Sequence, residues 1–278
     1  MMRYLLAAAA AMALAAPAAA DHHMTAEHAA HSPSHHALMM ALASDARKDD
    51  KARDQYRHPA ETLSFFQVEP GMTVVDYMPA SGWYTRVLVP YLGTSGRYIG
   101  LNPDGSTANN TGWVDYAAKL TPRFKEVSPG WNLTGAPVSV MNSNEITDDM
   151  KGTVDRVLIF REMHNLLRNG VMHQELTRIR SLLRSDGMLG IVQHRAKDDA
   201  SGDYTDGSKG YLRQKDVIGL VEAHGFELVG MSDINANPAD PANHERGVWE
   251  MPPVWGSKKE ELKNLGESDR MTLLFRKR

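Results

Sequence analysis

Short apolar runs rich in branched residues alternate with longer segments whose apolar residues recur every three or four positions, from about residue 59 to the end of the chain. The runs predict strands over 72–78, 97–101, 138–141, 154–160, 188–192, 226–231 and 271–276. The run over 154–160 ends in Val-Leu-Ile-Phe and suits a strand covered on both faces of a sheet. Between the runs, helices are predicted over 83–92, 114–120, 174–183 and 215–224, the third with Leu176, Ile179, Leu182 and Leu183 at core spacing. An earlier helix opens at Pro59, buries Leu63, Phe66 and Val68, and stops at the Pro70-Gly71 turn. The charged run over 45–57 reads as an exposed helix ended by the His58-Pro59 step, because a residue before proline avoids the helical region. Strands separated by helices of about ten residues imply βαβ units and an α/β fold with a doubly wound, mostly parallel sheet.

The first residues do not fit that alternation. One cation, Arg3, precedes an apolar run over 4–16, and Ala18-Ala19-Ala20 supplies the small residues a signal peptidase reads. The run is too short to span a membrane, so 1–20 reads as a signal peptide cleaved after Ala20, with the remainder exported to the periplasm and carrying no transmembrane segment. Residues 21–44 hold six of the twelve histidines, His22, His23, His28, His31, His35 and His36, among Ala, Ser and Met. This reads as a flexible segment, either a solvated tether or a tract able to gather a Zn, Cu or Ni ion. The folded domain is expected over 45–278.

Charge and cysteine content remove several function classes. With 31 Lys and Arg against 34 Asp and Glu, the chain offers no general attraction for phosphate backbones, so no nucleic-acid partner is expected. The absence of Cys excludes disulfides, thiolate metal sites and cysteine nucleophiles. A 42% hydrophobic share suffices for one sizeable core.

In an open α/β sheet ligands bind beyond the carboxyl ends of the strands, so the residues just after each strand are informative. After the first stands Asp76, then the small-residue turn Pro79-Ala80-Ser81-Gly82, then Trp83 and Tyr84. Such a turn lets backbone approach a ligand closely. The fourth predicted strand ends in Arg161-Glu162-Met163-His164 and the fifth in Gln193-His194-Arg195. A histidine there can take a proton from an acceptor hydroxyl or amine while Glu162 orients it; equally, these side chains can satisfy backbone groups after the strands. Glu162, His164 and His194 also form a possible metal set. The long stretch 233–270 reads as an insertion, either a lid with Asn235, Asn237, His244, Trp249 and Trp255 or an edge-covering flap.

The order of elements, carried by RHPAETLSFFQVEPGMTVVDYMPASGWYT, DRVLIFREMHNLL, LLRSDGMLGIVQHRA, GYLRQKDVIGLVEAHGFELV and ESDRMTLLFRKR, resembles the class I S-adenosylmethionine-dependent methyltransferases, and among them an exported bacterial group. The resemblance implies a Rossmann-like, seven-stranded sheet whose last strand is antiparallel. It also implies S-adenosylmethionine as methyl donor, held by Asp76, Ala80, Gly82, Asn102 and Asp104, and a methyl acceptor, small-molecule or other, that the sequence does not identify. The family's acid is followed by glycines at the second, fourth and sixth positions; here those are Met78, Ala80 and Gly82. At the end of the second strand the family's acid is replaced by Asn102, with Asp104 two residues on. The candidate catalytic residues remain those at the ends of the fourth and fifth strands, His164, His194 and Glu162. A different class of function is a non-catalytic periplasmic binding or metal-handling protein on the same scaffold.

Overall fold

A computed structural model describes residues 32–278. The expected leader and His22, His23, His28 and His31 lie outside the described residues. The chain forms helices α1 (Pro33–Ala43), α2 (Asp54–Arg57), α3 (Pro59–Phe65), α4 (Thr85–Leu92), α5 (Thr111–Val127), α6 (Met163–Arg168), α7 (Met172–Leu182) and α8 (Gln214–Ala223). Its strands are β1 (Thr73–Tyr77), β2 (Arg97–Asn102), β3 (Val138–Asn142), β4 (Val154–Phe160), β5 (Leu183–His194), β6 (Phe226–Ser232) and β7 (Arg270–Lys277).

The seven strands make one sheet in the order β3-β2-β1-β4-β5-β7-β6. The pairs from β3 through β5 are parallel, and β7 runs antiparallel to both β5 and β6. This is the sheet the resemblance implies. Successive side chains of a strand point to opposite faces, so Val74 and Val75 enter different cores. One core packs Leu176, Ile179 and Leu182 of α7 with Val217 and Val221 of α8; the other packs Leu63, Phe66, Val87 and Leu88. Chain order steps outward to either side from the boundary between β1 and β4, which makes that boundary the topological switch point.

Two local expectations are corrected. Residues 33–43, expected within a flexible segment, form α1. Ser32 caps it by accepting the N–H of His35, Pro33 occupies its first turn, and Leu38, Ala41 and Leu42 bury against α4. Residues 45–57, expected as one exposed helix, break into two 3-10 turns and α2. The reason is burial of two arginines. Arg47 is held bidentately by Asp54, and Arg57 pairs with Glu267 more than two hundred positions away in the chain.

Candidate active site

The residue after β4, Arg161, has φ +64° and donates its N–H to the carbonyl of Val192 in β5 at 2.6 Å. That sharp left-handed step breaks the strand and starts α6. Glu162, His164, Asn165, Arg168 and Asn169 then form one wall of a cavity of about 580 Å³. His194, the last residue of β5, faces them; Asn110, Trp113 and Tyr116, from the start of α5 after β2, supply the opposite wall; and Val248, Trp249 and Met251 lie over it. The walls are drawn from residues that follow β2, β4 and β5, so the cavity lies at the carboxyl end of the sheet.

The cavity therefore gathers all three expected catalytic residues. Glu162 is half-buried, and its Oε2 accepts a 2.6 Å bond from Asn165 Nδ2 rather than touching an imidazole. Burial, only partly offset by the Asn165 bond and by Arg161 and Arg168, raises its pKa from the usual carboxylate range to about 7. Burial acts oppositely on the imidazoles. His164, lowered chiefly by desolvation and then by Arg168, falls to about 4, and His194 is held well below its ordinary value by desolvation and the nearby His164. Their ring centroids are 5.8 Å apart, and His194 Nδ1 lies 2.6 Å from Ser268 Oγ. Two polar atoms of the wall, Trp113 Nε1 and Asn165 Oδ1, are buried without a hydrogen-bond partner among the described residues.

Other expected residues are placed elsewhere. Arg195 turns away, held bidentately by Asp269 at 2.9 and 3.0 Å and by Asp233 at 2.8 Å. None of Asp76, Ala80, Gly82, Asn102 and Asp104 lines the cavity. Asp76 is buried and accepts from the Tyr98 hydroxyl at 2.9 Å; desolvation raises its pKa to about 7. Asn102 donates to Thr121 Oγ1 at 2.9 Å. Asp104 caps Ser106 and pairs with Arg178, contacts that outweigh its desolvation and lower its pKa. Gly82 is covered by the indole of Trp131.

The turn nevertheless retains an informative backbone. Met78, Ala80 and Gly82 have φ of +54°, +50° and +76°, the left-handed conformation that favours glycine. The alternating glycine geometry persists where two of the three glycines do not.

Trp83 and Tyr84 serve packing. Trp83 stacks against the guanidinium groups of Arg47 and Arg57 at 5.0 and 4.6 Å, and Tyr84 stacks on Phe160 at 3.5 Å. Of the five insertion residues considered for a lid, only Trp249 reaches the cavity. Asn235 ties Thr62 to Thr272, Asn237 binds the carbonyls of Leu265 and Glu267, His244 pairs with Asp240, and Trp255 donates to the carbonyl of Lys259. Among the described residues no group of three His, Asp or Glu is placed to hold a metal ion, which corrects the Glu162-His164-His194 set.

Sequence reasoning missed Asn110, Trp113, Tyr116 and Arg168. The first three follow β2, where an open sheet places ligand contacts, and the Asn110-Thr111-Gly112 cap marks the start of α5.

No family model and no curated protein matches this chain. Solved structures do. A SAM-dependent methyltransferase from Aquifex aeolicus superposes with a TM-score of 0.51 at 16% identity, covering 84% of this chain and 100% of that one. A putative sarcosine dimethylglycine methyltransferase from Galdieria sulphuraria gives 0.52 at 14%, covering 82% and 86%. The putative methyltransferase in complex with the Trm112 activator from Haloferax volcanii gives 0.50 at 15%, covering 86% and 96%. At these identities the likeness establishes the fold, that of the class I methyltransferases.

Proposed function

We propose that this chain is an S-adenosylmethionine-dependent methyltransferase acting on a small-molecule acceptor. The observation that carries the reading is the cavity at the carboxyl end of the sheet, walled by Glu162 and by side chains that suit this donor. Trp113 and Tyr116 offer aromatic faces for adenine, and Glu162 offers a carboxyl beside the cationic end. When bound, S-adenosylmethionine supplies a methyl group on a cationic sulfur.

The chain's own residues do the rest. A base works best with a pKa near the working pH, which favours Glu162 at about 7 over His164 at about 4. Glu162 takes the acceptor's proton. His164 and His194, uncharged at neutral pH, present hydrogen-bonding nitrogens without adding positive charge. Trp249, Met251, Pro252 and Pro253 close the cavity's rim and exclude water, leaving positioning as the larger share of the rate.

Calorimetric titration with S-adenosylmethionine tests the reading. Binding tighter than about 100 μM, near −5.5 kcal/mol, is expected. The packing of Trp131 over Gly82, and the internal bonds of Asp76 and Asn102, favour a second reading: a binding protein on the same scaffold. Absence of donor binding with retained ligand binding selects it.

We also propose export to the periplasm with cleavage after Ala20, on the strength of the apolar run and its small-residue site. Among the described residues no helix is long and apolar enough to cross a membrane.

A further inference from the structure

Arg161, two residues before α6, and Arg168, the last residue of α6, both line the cavity. Neither has a salt-bridge partner, and neither side chain a hydrogen-bond acceptor, among the described residues; Arg161 is half-buried, and Arg168, exposed to solvent, holds its guanidinium 5.8 Å from the Trp249 ring. At the cavity's lip Arg53 shares Glu267 with Arg57 and Arg270. Three guanidinium groups thus line the cavity against two carboxyls, Glu162 and Glu267, with Arg57 and Arg270 neutralising Glu267 from behind, while the histidines of the site stay neutral.

The chain as a whole carries a formal charge of −3, so the concavity reverses the sign of its surroundings, and low-dielectric walls focus such a field on a diffusing anion. Crowding shows in the neighbours. Burial, with Arg161 adding to it, lowers Arg57 to about 8.

An arginine fork recognises planar anions bidentately, and flat aromatic faces from Trp249, Trp113 and Tyr116 stand in the same cavity. We propose that the methyl acceptor is a small aromatic carboxylate, its carboxylate held by Arg161 and Arg168 and its ring against Trp249. This rests on the methyl-transfer reading above. The acceptor carries a hydroxyl or amine on the ring. As that atom bonds to the methyl carbon, the methyl–sulfur bond breaks with its electron pair staying on sulfur, and the proton passes to Glu162.

Benzoate and its uncharged isostere benzamide test the site on the full chain, with tryptophan fluorescence as readout. Benzoate is expected to bind saturably and benzamide at least about tenfold more weakly. Arg161→Gln and Arg168→Gln should each weaken benzoate about tenfold, whereas Arg184→Gln, altering a surface arginine paired with Asp155 and Asp186, should leave it unchanged. Saturating S-adenosylhomocysteine should leave benzoate binding intact. Equal affinity for the two probes, no saturable benzoate binding, or indifference to the arginine variants overturns the proposal. So does loss of benzoate binding with S-adenosylhomocysteine, which assigns the arginines to the donor's own carboxylate. Arginine-dependent benzoate binding without any S-adenosylhomocysteine binding keeps the carboxylate site and rejects methyl transfer. The comparison of benzoate with benzamide needs no variant to fold.

Discussion

The indole of Trp131 covers Gly82 so closely that no side chain fits between them. Gly82 also has φ +76°, so alanine there meets both a steric and a backbone penalty. Gly82→Ala should destabilise the protein by roughly 2–4 kcal/mol in denaturant unfolding. In a Trp131→Ala background only the backbone cost, about 1–2 kcal/mol, should remain. An equal cost in both backgrounds would show that the ring is not what limits the site.

Ala80 holds φ +50° without being a glycine. Ala80→Gly relieves that strain with little packing to lose, because Ala80 is exposed. A gain of up to about 1 kcal/mol is expected, less the entropy glycine adds to the unfolded chain, or a rise of a few degrees in Tm. A fall in Tm contradicts the strain. Met78, at φ +54°, is unsuited to the same test, since its side chain is buried in the core.

Asp76 predicts a pH dependence of stability. Its pKa is about 7 in the folded protein against an ordinary 3.8. Between these values only the folded state holds the proton, so this stabilising contribution is full below about pH 4 and is lost as pH rises through about 7. Asp76→Asn retains an acceptor for Tyr98 but does not titrate. Measured by urea unfolding, stability of the variant relative to wild type should therefore rise across that window and be constant above it. Subtracting wild type removes the opposite trend from His164 and His194, whose lowered values cost stability as pH falls below about 6.5. A flat difference would mean that Asp76 ionises normally.

The strands and most helices were legible because each carries its own pattern: Val154–Phe160 is a strand from its residues alone, and Met172–Leu182 shows its period over three turns. Met163–Arg168 does not, because six residues span too few turns to reveal a period. Helix α1 was hidden for a different reason. Its buried face is only Leu38, Ala41 and Leu42, and its histidines resemble a tether's. Burial of Arg57 depends on Glu267, a partner that local sequence cannot supply.

The site divides along the same line. Glu162, His164 and His194 were readable because they end adjacent parallel strands, and such ends meet across a spacing of about 4.8 Å. Their roles were not, since the pKa order that favours Glu162 over the imidazoles comes from burial by segments distant in sequence.

The proposed export would leave a chemical record. Mass spectrometry of protein from fractionated cells should find Asp21 as the first residue, in the periplasmic fraction. An intact Met1, or a cytoplasmic location, would overturn it.

Glu162 and His164 make competing predictions that a pH profile separates. With Glu162 as base, turnover should fall as pH drops below about 7, because the carboxyl takes up a proton there. Glu162→Gln keeps the bulk and the bond from Asn165 but cannot accept a proton, so turnover should drop about a hundredfold, well beyond any weakening of donor binding, and the acid limb should vanish. His164 titrates near 4, so His164→Gln should leave the limb at about 7 in place and lower turnover less. If the limb instead disappears with His164→Gln and survives Glu162→Gln, the imidazole is the base and the carboxyl only shapes the cavity.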